Sequence, residues 1–205
     1  MKLIDIFYNY LYYLIHPFQA HKEIASGDGK VKALGLYESL GVSWVFVVVA
    51  GLIRIVLINL VIFMFLNMLD PGNGLLEGVI DNRGFTGFYF LILTSVLDVV
   101  FYPLITMFIL QFWEFVIKSY ASLAGVKGDI DQKAKTILSV SLSSHILLIV
   151  PVFGEMAQKT ANFIQMYAGI REQMQFSRSL TFCVLLTPVL FFLFLTTFMV
   201  ILVSL

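Results

Sequence analysis

A chain of 205 residues that is 60% apolar and 13% charged, with a mean hydropathy of +0.93, carries more apolar surface than a water-soluble core of that size can bury, so lipid is the solvent for most of it. The formal net charge of zero excludes the broad basic surface that a nucleic-acid partner would require. Cys183 is the single cysteine, which excludes an intramolecular disulfide.

The first predicted element is helical. Asp5, Asn9, Tyr12, His16 and Gln19 recur at spacings of four and three, while Leu3, Phe7, Leu11, Leu14, Ile15 and Phe18 fill the other face. That pattern predicts an amphipathic helix lying on the cytoplasmic membrane surface. Tyr8, Tyr10, Tyr12 and Tyr13 suit the interface, where a ring is buried and its hydroxyl stays wet. Pro17 fits the first turn of a second helix, where its missing N–H is not needed, and Ser26-Gly27 ends it. Residues 1–33 therefore read as a pair of cytoplasmic amphipathic helices, and 34–205 as the transmembrane domain. A cleavable signal peptide is not expected: Lys2 is the sole positive residue before an apolar run broken by Asp5 and Asn9. His16 and His21, five apart, fall on different helix faces, so no metal site is expected.

Five spans follow, each near the ~20 residues a helix needs to cross. They run from Gly41 to Leu69, Phe85 to Ile117, Ala134 to Val150, Phe153 to Ile170, and Ser179 to Leu205. Turn residues separate them: Asp70 to Gly74, Gly125 to Asp131, Pro151 to Gly154, and the polar stretch Arg171 to Arg178. With five spans, Lys2, Lys22, Lys30, Lys32, Lys118, Lys127, Lys133, Lys135, Arg171 and Arg178 share one side, and the opposite side holds Arg83. This bias predicts a cytoplasmic N-terminus and an outside C-terminus.

Charges inside the spans mark the candidate site. Arg54 lies near the middle of the first span and Asp98 well inside the second, on a face with Thr94, Ser95, Tyr102 and Thr106. An unpaired charge at that depth costs at least ~2.5 kcal/mol, so an Arg54–Asp98 ion pair is expected. It serves either as a lock between two helices or as part of a proton or substrate relay. Glu114, beside Trp113, reads as interfacial. In the fourth span Glu155, Lys159, Asn162, Met166 and Gly169 keep helical spacing, with Glu155 in the favourable order for pairing with Lys159 or for complementing a helix N-terminus. The third span adds Ser139, Ser141, Ser143, Ser144 and His145. Its serines suit packing and hydrogen bonding better than catalysis, because no Gly-x-Ser-x-Gly elbow accompanies them. No phosphate loop, zinc spacing or cysteine pair appears. Neither catalytic residues nor a cofactor are expected.

Two stretches carry a family resemblance. HPFQAHKEIA, residues 16–25, resembles the entry segment of bacterial Yip-domain proteins, named for the Ypt/Rab-interacting proteins of eukaryotes. Residues 125–174 resemble that family's latter half: a glycine-bearing loop, a Ser-rich span, a Pro-x-x-Gly turn at Pro151 to Gly154, and a span ending in a GIRE-type segment at Gly169 to Glu172. The resemblance implies a compact five-span membrane protein without a known catalytic site. The long cytosolic region and the Asp-Leu-Tyr-Gly-Pro type motif of eukaryotic members are missing, which argues against a small GTPase partner.

The sequence thus predicts an all-α, five-span bundle acting as a scaffold or interaction partner in membrane organisation or trafficking. Its expected partners are membrane lipids and other membrane proteins, or further copies of itself. The alternative is a small transporter or channel using the polar interior around Arg54, Asp98 and Lys159.

Overall fold

The computed structural model describes residues 3–27, 33–69 and 85–204. Lys2, Lys30, Lys32, Arg83 and the turn from Asp70 to Gly74 lie outside them. Among the described residues every regular element is helical. Helix α1 covers Leu3–Ile15 and α2 covers Pro17–Ser26. Helix α3 runs Leu36–Leu69 and α4 runs Phe85–Leu123. Helix α5, Ile130–Ser141, continues into a 3-10 helix, Leu142–Ile149, and α6 is Gly154–Met174. Helix α7 is Arg178–Ser204. Among the described residues, three segments are long and apolar enough to cross a membrane: Leu36–Val61, Ile92–Leu123 and Arg178–Leu202.

The centre of the molecule is a hairpin made of α5, the 3-10 helix and α6. Helices α3 and α4 pack against its first limb, and α1, α2 and α7 contact its second. The hairpin starts where Asp129 caps α5, its side chain accepting from the Gln132 N–H at 3.0 Å, as an N-cap aspartate does. It reverses at Pro151 to Gly154. Val152 sits in the left-handed region at φ 68, and Gly154 packs so closely that a Cβ would lie 2.7 Å from the Leu147 carbonyl oxygen. The Pro-x-x-Gly turn therefore requires glycine in its last position for space.

Packing is uneven along the bundle. One end is dense: Leu110, Ile117, Ile137, Leu138, Ile170 and Val184 form a continuous buried cluster. Toward the other end the helices splay. Leu52 to Met64 on α3, Phe90 to Phe108 on α4 and Val189 to Leu202 on α7 present many exposed large apolar side chains. Apolar exposure on that scale suits lipid rather than water.

Helix α4 contains Pro103, which has no N–H to give the Val99 carbonyl one turn earlier. The Trp44 indole N–H of α3 donates to that carbonyl at 2.8 Å. The vacancy left by a proline on one helix thus becomes a tie to its neighbour, as membrane helices permit.

Candidate intramembrane polar site

Arg54 is the hub of the site. Its guanidinium donates to Glu155, at the hairpin turn, and lies 3.8 Å from Asp98 on α4. The expected Arg54–Asp98 pair is present at ion-pair distance but beyond hydrogen-bonding distance. The closer partner is Glu155, whose spacing along α6 suits Lys159 or the helix N-terminus. Periodicity within α6 shows which residues are neighbours on that helix. It carries no information on the turn of the hairpin meeting α3, and so missed this contact. All three side chains are substantially exposed, at 45% for Arg54, 70% for Asp98 and 60% for Glu155.

These residues line a cavity of about 630 Å³ between α3, α4 and the hairpin turn, together with Ser95, Tyr102, Thr106 and His145. His145 is buried, donates from Nδ1 to the Leu142 carbonyl at 3.0 Å, and sets its ring against the edge of Tyr102 at 5.4 Å. The Tyr102 hydroxyl meets the Ser43 hydroxyl at 2.8 Å. A smaller cavity of about 270 Å³ adjoins the first, sharing Thr106 and His145, and is lined by Gln158, Lys159 and Asn162. Asn162 Nδ2 donates to the Ser141 carbonyl at 3.4 Å, and Gln158 donates to the Ser144 hydroxyl at 3.4 Å. The six residues singled out thus divide. Arg54, Asp98 and Glu155 cluster, His145 stands at the shared wall, and Lys159 and Asn162 line the second cavity.

Closer to the dense end, polar residues join elements. The Ser39 and Ser139 hydroxyls meet at 2.7 Å, and Ser139 also donates to the Leu34 carbonyl at 2.6 Å. Lys118 and Lys135 pair with Glu114 and Asp131 at the α4–α5 junction.

A second buried cluster joins the N-terminal helices to the hairpin. His21 on α2 is completely buried, and its Nδ1 accepts from Gln173 Nε2 at 2.8 Å. Its ring lies over Gly169 of α6, where a Cβ would come within 2.8 Å of His21 Cε1 and of Ile137. Burial holds the His21 imidazole below its usual range, at about 4, because a charged ring there would lose its water. Gln165 donates to the Tyr13 carbonyl. Tyr10 and Tyr13 are buried in protein rather than placed at the interface, whereas Tyr8 is exposed and the Tyr12 hydroxyl donates to Glu23 at 2.8 Å. The two stretches that carry the Yip resemblance therefore meet: His21 belongs to one and Gly169 to the other. His16 is exposed, with its ring against Tyr12 at 5.3 Å, and is not part of this cluster.

No protein-family model, curated protein or solved structure matches the chain.

Proposed function

We propose that this chain is a Yip-type, five-span integral membrane protein that acts as a scaffold or interaction partner in membrane organisation or trafficking, without enzymatic activity. Its N-terminus is cytoplasmic and its C-terminus outside. The observation that carries the reading is the use made of polar side chains along the bundle. Ser39 with Ser139, Ser43 with Tyr102, Trp44 with Val99, and Arg54 with Glu155 each join two elements. Polar groups spent on helix contacts hold a bundle together and leave few to line a path. Five spans are favoured by length. At 1.5 and 2.0 Å per residue, α5 with its 3-10 extension reaches about 34 Å and α6 about 32 Å, against about 30 Å of hydrocarbon.

The adjoining cavities that share Thr106 and His145 favour a second reading, a small transporter or channel. Cysteines at Asp98 and Lys159 in a Cys183→Ser background separate the two. A scaffold leaves at least one unlabelled by a membrane-impermeant thiol reagent. Labelling of both in folded protein, one from each side, would establish a continuous aqueous path and reject the scaffold reading. Crosslinking in native membranes before gentle extraction should recover discrete protein adducts, and their absence would count against it as well.

A further inference from the structure

We propose that the cavity around Arg54 binds a phospholipid whose headgroup carries a primary ammonium. The inference rests on the membrane-spanning reading and names the lipid partner that the scaffold would hold. Two carboxylates share one guanidinium there: Glu155 takes the hydrogen bond, and Asp98 stands 3.8 Å off. Lys159, the nearest cation on α6, lines the adjoining cavity instead and makes no ion pair with either carboxylate among the described residues. The cavity therefore holds two carboxylates against one guanidinium, and Asp98 is left beyond hydrogen-bonding distance of it. A primary ammonium brings a positive charge and N–H donors to Asp98 and Glu155.

Arg54 has donors left after Glu155, since a guanidinium carries five N–H groups, and its fork matches a phosphate oxygen pair. One zwitterionic headgroup thus answers both signs, its phosphate on Arg54 and its ammonium on the carboxylates. Part of the remaining wall is apolar, including Val47, Leu57, Ile58, Ile105 and Val152, and this part fits the start of an acyl chain. The volume of about 630 Å³ lies within the range of ligand cavities. The cavity also sits at the splayed end, where the exposed apolar side chains of α3 and α4 give lipid a sideways entry. A glycerol headgroup would add negative charge beside two carboxylates. A choline headgroup brings the charge but no N–H to donate.

The test is native mass spectrometry of the full chain in neutral detergent with an equimolar mixture of ethanolamine, choline and glycerol phospholipids of identical acyl chains. The ethanolamine lipid should be retained severalfold over the other two. That preference should vanish in Asp98→Asn, which keeps the Arg54–Glu155 pair and the side-chain shape. Equal retention of all three by the unaltered chain, or a preference for the glycerol lipid, overturns the proposal whatever the variant does. An unchanged preference in both Asp98→Asn and Glu155→Gln overturns it too. Excess water-soluble glycerophosphoethanolamine should leave the lipid bound; displacement would make a free headgroup the ligand and refute the lipid assignment. Recovery of the chain from the soluble fraction without detergent would instead refute the membrane reading itself.

Discussion

Gly169 and His21 decide how the N-terminal helices sit on the hairpin. Gly169→Ala places a methyl within 2.8 Å of His21 and of Ile137, and overpacking of that kind costs about 1–3 kcal/mol. Thermal unfolding in detergent should show that loss. Adding His21→Ala should recover part of it, while Ile137 keeps the rest; no recovery would mean that the ring does not lie on Gly169. The same histidine gives a pH dependence. Its folded-state value of about 4 lies below the ordinary 6.5, so the neutral ring is the form that folding favours. Its contribution is fully present above about pH 6.5 and is lost as pH falls from there toward 4. The melting temperature should drop more steeply over that window in the unaltered chain than in His21→Gln, and parallel slopes would refute the assignment. Sequence drew notice to HPFQAHKEIA and to the GIRE segment separately. It put His21 only on a different helix face from His16, because spacing along α2 shows a helix face but not what covers it. Trp44 escaped notice for a similar reason. Pro103 leaves the Val99 carbonyl without its helical N–H, and the donor that meets it comes from another helix. Trp44→Phe should cost about 0.5–1.5 kcal/mol, the net worth of a hydrogen bond, and an unchanged melting temperature would contradict that role.

Among the elements, the hairpin was the hardest to read. Helices α3, α4 and α7 announce themselves by length and apolarity, and each contains a segment able to cross a membrane. The hairpin limbs do not meet that standard. The first changes from α to 3-10 at Leu142, and the second carries Glu155, Gln158, Lys159, Asn162 and Gln165. Charge asymmetry does not settle the matter. Both ends of the hairpin lie on the same side whether it crosses the membrane or turns back inside it, so the basic residues are distributed alike in either case. The turn itself is the informative place. Phe153 is exposed there, and a cysteine at that position in a Cys183→Ser background should react with an impermeant reagent from outside, while one at Lys127 reacts from the cytoplasm. Reaction of position 153 from the cytoplasm, or from neither side, would replace two of the five proposed spans by a re-entrant loop. On α1, Phe7 is exposed and Asn9 is buried together with Tyr10 and Tyr13, so the polar stripe expected from spacing does not coincide with one face of the folded helix. Spin labels at these two positions should differ in accessibility to a lipid-soluble relaxation agent. Equal values would detach α1 from the bundle.

Among the described residues the bundle is dense at one end and splayed at the other, and Arg54 is a tie toward the splayed end. The dense end is held by apolar packing around Ile117, Ile137 and Ile170. Beyond it, α3, α4 and the hairpin turn meet through one guanidinium and two carboxylates. The sequence points to Arg54 and Asp98 as a unit because lipid penalises each alone. It did not identify Glu155 as the closer partner, because that contact depends on how far the hairpin reaches along α3. A scaffold needs this tie for shape, whereas a relay needs it for proton or substrate movement. The direct measurement is a thermal-stability cycle of Arg54→Leu, Glu155→Leu and the double variant in detergent, with partner crosslinking read on the same samples. Each single variant should lose stability, and the double should recover part of it, with a coupling of about 0.5–3 kcal/mol, the range for residues in contact. The double variant should also keep the crosslinked partners of the unaltered chain. Strict additivity, or a double variant that regains stability and still loses every partner, would contradict the account.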